Sequence, residues 1–380
     1  MRHPDRAEHP DLAIGLDVGG TRVKAVGIDR MGSVLSSAVV TVPRSVDGLV
    51  AHVVATVNGL CLRFGPATSL GIALPGLVDP QFGARSLPGK LPGLEGFALV
   101  DAIQRAIEIP VTCLNDGAAA TYGEWRYGAG MGLSDIVVLT LGTGVGSGVV
   151  VNGRLFTNAN LGSGGGLGHL TIDAEGPRCP CGNRGCAETR ISATAMINAL
   201  WDHVSRGVPS VLAETVLTGP GEARFENLVA AATTGDLLAT ELLERFIRDL
   251  GTTIVSAVHA FNPTAVVIVG GMTVEAAAFL PQVQAYVSAH AWRYPRDRDI
   301  PVLVGALADL AGAIGVAAYA REKDPPPQTM TRPGRLDPAE IEAPSAQRGG
   351  MTGDLIAATA GAARDVLRSC STSHGWRVRA

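Results

Sequence analysis

The sequence predicts an α/β protein built of two similar lobes, and three observations carry that expectation. The first is composition: hydrophobic residues make up 46% of the 380 residues but aromatics only 4%, while glycine alone contributes 48. A chain so rich in small residues brings backbones close together, as wound α/β layers do, whereas a β-sandwich would want more aromatic bulk. The second is a plan that occurs twice, an apolar strand, a Gly/Thr turn and an apolar return strand, over Ala13 to Ile28 and again over Val137 to Val151, about 120 residues later. The third is the polar residues at the ends of apolar strands, where open α/β sheets place their chemistry. A chain of this length has room for two cores rather than one giant one.

A polar, proline-marked lead, residues 1–11, comes first; no apolar stretch follows it, so neither a signal peptide nor a membrane span is expected. Ala13 to Val18 then reads as a strand, Gly19-Gly20-Thr21 as a turn and Arg22 to Ile28 as the return strand. At such a tip two glycines let main-chain N–H groups close on phosphate oxygens, Thr21 adds a hydroxyl donor, and Asp17 is placed to hold magnesium directly or through water. Taken alone, the same residues describe an ordinary turn. The second hairpin, tipped by Gly142, Thr143, Gly144 and Gly146, changes the reading: two glycine tips facing each other across a cleft can grip one triphosphate from both sides. Neither tip carries G-x-x-x-x-G-K-[ST] or a strand-to-helix G-x-G-x-x-G, which excludes the P-loop and Rossmann alternatives.

Between the hairpins, Ser69 to Leu74 forms a strand ending at Pro75-Gly76, and Val111 to Leu114 another ending at Asn115-Asp116, before an Ala-rich helix over Gly117 to Tyr127. Asn115-Asp116 reads either as a helix cap or as site residues. Farther on, Asp236 to Ala260 has the spacing of one or two amphipathic helices, and the strand Ala265 to Val269 ends in Gly270-Gly271, an open floor on which a flat ring can lie. The helix Ala306 to Arg321 is expected to return to the first lobe. The N-terminal lobe is thus 12–118 completed by 306–321, and the C-terminal lobe 119–305. Residues 322–350 read as linker or disorder, and 351–380 as a tail with one amphipathic helix over Gly353 to Cys370 and no assigned chemistry.

One stretch, Gly162 to Glu188, gathers residues that packing alone would not ask for. Cys179, Cys181 and Cys186 fall within eight residues, turned by Gly182 and Gly185, with His169 ten residues upstream. A one-histidine, three-cysteine set on a short glycine-bent segment suits tetrahedral zinc, and four protein ligands make such a metal structural. The competing reading is disulfides or idle thiols; Cys179 and Cys181 are too close to bridge comfortably, and three clustered cysteines leave one unpaired. Thiols held for a metal point to a reducing cytoplasm. The formal net charge of -4, without a basic run, argues against a nucleic-acid partner, and none is expected.

Together, A-I-G-L-D-V-G-G-T, A-L-P-G-L-V-D, N-D-G-A-A-A, L-G-T-G-V-G-S-G, G-L-G-H followed by C-P-C-G-N-R-G-C-A-E, and N-P-T-A-V-V-I-V-G-G resemble the ROK family of sugar kinases and repressors, glucokinase-like in size, over about Leu12 to Arg321. The resemblance implies two actin-like or hexokinase-like (ribonuclease H-like) α/β lobes with an ATPase cleft between them. It implies Asp116 as catalytic base; Asn115, His169 and Glu188 on the sugar, with Gly76 and Lys90 near it; Asp17 and both hairpins on Mg-ATP; and Gly270 and Gly271 near the adenosine. A homodimer is expected on the same ground. A repressor would need a DNA-binding helix-turn-helix ahead of the first hairpin, where about a dozen polar residues stand, and a non-catalytic binding module would be expected to lose Asp116, Asp17 or a hairpin first.

The chain also departs from the family's pattern. Gly166 stands where its sugar kinases usually have Glu, Lys90-Leu91 where they have Asn-Leu, and Leu94 where Trp is frequent. The phosphate machinery is intact and the sugar cradle rebuilt, so the expected acceptor is a modified polyol, a C7 cyclitol or an amino sugar, with ordinary glucose as the alternative.

Overall fold

The computed structural model describes residues 11–43, 45–86, 93–157, 166–219, 223–292 and 299–322. Lys90, the linker beyond Glu322 and the helix expected over Gly353 to Cys370 lie outside these residues.

The chain opens with strands β1 (Leu12–Val18), β2 (Arg22–Ile28) and β3 (Val34–Thr41), helix α1 (Val46–Phe64), strand β4 (Ala67–Leu74), the small hairpin β5 (Leu77–Asp79) and β6 (Gly83–Ser86), helix α2 (Leu99–Gln104), strand β7 (Val111–Asn115) and helix α3 (Asp116–Tyr127). It continues with β8 (Ile136–Leu141), β9 (Val145–Val151) and β10 (Arg154–Leu155), then helices α4 (Glu188–Ile191), α5 (Ala193–Ser205), α6 (Ala213–Thr218), α7 (Phe225–Thr233) and α8 (Leu237–Phe261). Strand β11 (Ala265–Val269), α9 (Ala276–His290), β12 (Val302–Val304) and α10 (Ala311–Glu322) complete it.

Two five-stranded sheets result, ordered β3-β2-β1-β4-β7 and β10-β9-β8-β11-β12. In each, the first three strands form an antiparallel meander and the last two join parallel to the first strand. The shared order is the duplication that the repeated hairpins announce, and with mixed α/β layers it makes the two-lobed actin-like fold.

Alternation along β1 decides what faces the site. Leu12, Ile14, Leu16 and Val18 point into a core with Leu49, Val53 and Val57 of α1, so Ala13, Gly15 and Asp17 take the other face. Helix α10 covers that face, its Ala313 and Ala317 sharing a core with Ala13 and Val26. On the second sheet, α7, α8 and α9 cover one face through Leu228, Phe246, Leu250, Ile254 and Phe279, and α3 lies against the other through Ala120. Among the described helices α1 alone is long and apolar enough to cross a membrane by length and composition; here its buried side chains belong to the core.

Residues 237–261 form one unbroken helix of 25 residues, which settles the choice between one helix and two. Asp236 caps it by accepting from Ala239 N–H at 2.9 Å, and Asn262 ends it in the left-handed region at φ 49°. Helix α10 starts five residues later than the sequence suggests. The N–H groups of Ala306 and Leu307 are bound by the Glu124 carboxylate, Ala308 sits at φ 50°, outside the α-helical region, and a 3-10 turn over Ala308–Leu310 leads into α10.

The helix layer is fixed by how closely α10 approaches the first sheet. A β-carbon on Gly15 would lie 1.9 Å from Ala313 O, and one on Gly71 2.1 Å from Val316 O. Gly15→Ala is expected to destabilise the protein by about 2–3 kcal/mol through overpacking. Gly59→Ala, on the exposed side of α1 with open space around it, is expected to stabilise by about 0.5–1 kcal/mol. Urea unfolding midpoints of both variants check this.

Candidate functional site

The site is assembled where strand ends of the first sheet meet the second glycine hairpin. Asp17 closes β1 and pairs in register with Lys24 of β2. Gly19, Gly20 and Thr21 form the tip, closed by Gly19 N–H donating to Arg22 O at 2.9 Å. Lys24 reaches the segment ahead of α10, donating to Asp309 O at 2.7 Å and pairing with its carboxylate at 3.2 Å. A sequence reading passes over Lys24, although hairpin register with Asp17 is the signal that finds it. Asp17 itself lies against Gly312 at the start of α10, where a β-carbon would stand 2.9 Å from Oδ2. Burial, and secondarily the negative charge of Asp116, push its carboxyl up to about 6, while Lys24 draws it down.

Asn115 and Asp116 follow from β7. Asn115 is a helix cap with a second bond: its Oδ1 accepts from Ala118 N–H at 3.1 Å while its Nδ2 donates to Gly76 O at 2.9 Å. That bond joins the ends of β4 and β7, already paired through Leu74 and Asn115. Asp116 Oδ1 accepts from Gly117 N–H at 2.8 Å. The first turn of α3 then presses on the second lobe, because a β-carbon on Gly117 would come within 2.6 Å of Ser147 N on β9, with Gly146 beside it. Asp116 thus heads the helix turn that meets the second hairpin, and its charge is felt at Asp17.

At that hairpin Gly142 N–H donates to Gly144 O at 3.1 Å. Thr143 and Gly142 are backed by α5, through Thr194 Oγ1 donating to Thr143 O at 2.7 Å and Ala193 N–H to Gly142 O at 2.8 Å. Glu188 Oε2 accepts from Val145 N–H at 2.8 Å. This carboxylate is thus anchored on the hairpin itself, a link that sequence separation hides. Gly270 abuts Leu141, the residue before the tip, a β-carbon there lying 2.4 Å from Leu141 O, so Gly270-Gly271 and the hairpin share one floor.

His169 ends a short 3-10 turn, Leu167–His169, that Ser147 Oγ holds by accepting from Leu167 N–H at 2.9 Å. Its Nδ1 lies 3.6 Å from Cys179 Sγ, and Cys181 Sγ lies 3.7 Å from Cys186 Sγ. All four ligand atoms are within 4.8 Å of one another, and the three cysteines are free thiols. Tetrahedral bonds of about 2.3 Å to sulfur and 2.0 Å to nitrogen give edges of about 3.8 and 3.5 Å; the His169–Cys179 and Cys181–Cys186 separations match them, and the donor set suits a tetrahedral metal. Gly185, at φ 64°, makes the tight turn possible; a β-carbon on it would fall 1.5 Å from Asp173 O. Gly166, exposed at φ 56°, has nothing within 4 Å of a built β-carbon.

Comparison with known proteins agrees with this geometry. The model of the ROK family matches residues 13–323. Glucokinase from Thermotoga maritima is 31% identical over 320 residues, 82% of this chain and 97% of that one. The transcriptional regulator NagC of Escherichia coli is 30% identical over 253 residues, 67% of this chain and 60% of NagC. Among solved structures, a ROK family glucokinase from Streptomyces griseus in complex with glucose and AMPPNP aligns with a TM-score of 0.69 at 27% identity, covering 82% of this chain and all of that one.

A carboxyl raised from 3.8 to about 6 on folding costs nothing below its unfolded value and withdraws stability as pH climbs through the folded one. Asp17→Asn is therefore expected to raise stability in magnesium-free buffer at pH 7.5 by about 3 kcal/mol, and to leave it unchanged near pH 3.5. Thermal melts at the two pH values test the sign.

Proposed function

We propose that this chain, which belongs to the ROK family, is an ATP-dependent kinase that phosphorylates the exocyclic CH2OH of a hexose-like polyol. One observation carries the reading: Asp116 heads the helix whose next residue, Gly117, presses on Ser147 and Gly146 of the second glycine hairpin, and its negative charge is felt at Asp17 beside the first. The transition state of phosphoryl transfer is loose, so the protein's work is to position the alcohol in line and neutralise oxygens. A carboxylate whose ordinary pKa is about 3.9 cannot ionise an alcohol beforehand. Asp116 orients the hydroxyl and takes its proton late, as oxygen bonds to the γ-phosphorus and the bond to ADP breaks. Magnesium held near Asp17 would supply charge neutralisation at the β- and γ-oxygens. The hairpin N–H groups and Thr21 grip phosphate, and Gly270-Gly271 receives the adenosine.

Zinc suits the His169, Cys179, Cys181 and Cys186 set and would act structurally. With Nδ1 turned to the metal, His169 keeps Nε2–H for a substrate hydroxyl. Glu188, whose Oε2 is engaged by Val145 N–H, offers Oε1 to another, and Asn115 borders the same hydroxyls beside Gly76. The lobe limits 12–118 with 306–321, and 119–305, together with a cytoplasmic homodimer, complete the proposal.

For the acceptor we favour a C7 cyclitol or an amino sugar. Gly166 replaces a carboxylate that would accept two ring hydroxyls, and the space before it is open; losing one charged hydrogen-bonding partner weakens binding by about 1.5–3 kcal/mol. Ordinary glucose is the second reading, favoured by the similarity to glucokinases over nearly their whole length. ADP release across glucose, mannose, N-acetylmannosamine, 3-amino-3-deoxyglucose and C7 cyclitols decides between them: turnover confined to the modified acceptors is expected, and strong turnover on glucose would sink the preference. Asp116→Asn is expected to lower kcat at least about 100-fold; unchanged turnover would remove its catalytic role, as would be expected of a regulator. Metal analysis is expected to find about one zinc per chain, and a value near zero in folded protein would refute the metal.

A further inference from the structure

Glu124 is a buried acid that the reaction does not touch. It lies two turns along α3 from Asp116, with no exposed surface. Its Oε2 accepts from Ala129 N–H at 2.8 Å and Ala306 N–H at 2.9 Å, and its Oε1 from Leu307 N–H at 2.9 Å. Its own carbonyl takes two more, from Gly128 at 3.1 Å and Gly130 at 2.9 Å. No cation pairs with it among the described residues.

The donors come from two stretches far apart in sequence. One leaves α3 for β8, and the other leaves β12 for α10. These are two crossings of the chain between the first sheet with its covering helix and the second sheet. Both are cut to fit the acid: a β-carbon on Gly128 would stand 2.0 Å from Oε2, and one on Gly305 2.5 Å from Oε1. The second crossing runs on to Asp309, which holds Lys24 beside Asp17. One carboxylate thereby connects the helix that bears Asp116 to the strand pair that bears the first phosphate tip.

We propose that Glu124 is a positioning residue, a pin that fixes both crossings and so sets where Asp116 stands relative to the phosphate hairpins. Burying a lone carboxylate for packing alone is costly, and an apolar side chain would fill the space more cheaply. Three converging N–H donors offset that cost only while both crossings keep their positions. The pin leaves both substrates' contacts intact and acts on the alignment of the transferring group, where small displacements cost most.

The test combines amide hydrogen exchange with kinetics on wild type and Glu124→Gln; its kinetic arm rests on the kinase reading, and its exchange arm does not. In Gln the amide nitrogen faces N–H donors, so at least one of the three bonds is lost. The amides of 129, 306 and 307 are expected to be protected in wild type and to exchange about 10–100-fold faster in the variant, with core-strand amides unchanged. The value of kcat is expected to fall about 10–100-fold, with both KM values within about threefold. Unaltered exchange at the three amides overturns the pin, and faster exchange with unaltered kcat overturns its positioning role. If Glu124→Gln does not fold, Glu124→Asp takes its place, and unprotected amides in the wild type by themselves overturn the proposal. If the wild type phosphorylates none of the acceptors, the kinase reading fails while the exchange arm still decides whether Glu124 holds both crossings.

Discussion

The architecture depends on how near a helix backbone is allowed to come to a sheet. Helix α10 rests on β1 and β4 with no side chain between main chains at Gly15 and Gly71, and α3 meets α10 the same way, a β-carbon on Gly123 falling 2.5 Å from Ala311 O and one on Gly315 1.8 Å from Ala119 O. Contacts of this kind bury little area per residue but tolerate no slack, since a packed interior responds to a single methyl group. They account for a composition so rich in glycine and so poor in aromatics. The aromatic residues that exist are concentrated elsewhere, as in the mutual packing of Phe225, Phe246 and Phe279 beneath the second sheet.

Close packing also explains the electrostatics. Asp17 is forced onto the α10 face by the alternation of β1, so its carboxylate loses water where Gly312 crowds it, and it feels the negative charge of Asp116. An acid held this way has a standing preference for a cation, and Lys24 meets only part of it while also serving Asp309. In the second lobe the same economy ties the metal-ligand loop to the nucleotide side. Glu188 follows Cys186 by two residues and is bonded to Val145 at the hairpin, while Arg190, on the same short helix, pairs with Asp249 of α8 at 2.9 Å and approaches Asp173 of the loop at 3.7 Å.

What the sequence made legible was whatever is encoded locally. Both glycine hairpins, the Asn115-Asp116 helix start and the histidine-cysteine set are runs of a few residues whose chemistry survives without a partner, and the repeated strand plan foretold two sheets of one order. Contacts between distant segments were not legible. Nothing in the run Ala306 to Leu310 tells that Glu124 takes two of its N–H groups, so the helix was expected five residues early. Nothing near Glu188 points to Val145, 43 residues away. Asn115 was readable as cap or site residue; the cap is present, and its two-ended amide is bonded to its own helix by one atom and to Gly76 by the other.

Gly166 has one more implication, for how such a protein changes over generations. Its position is exposed, a β-carbon built on it meets nothing within 4 Å among the described residues, its left-handed backbone is one that Asn and Asp adopt at small cost, and its carbonyl accepts from His169 N–H at 2.9 Å. Side chains that tolerate this backbone can be sampled there without meeting either sheet or the phosphate hairpins among the described residues. Under the acceptor reading proposed above, a change of side chain there alters which alcohol is met while the backbone bond to His169 is kept.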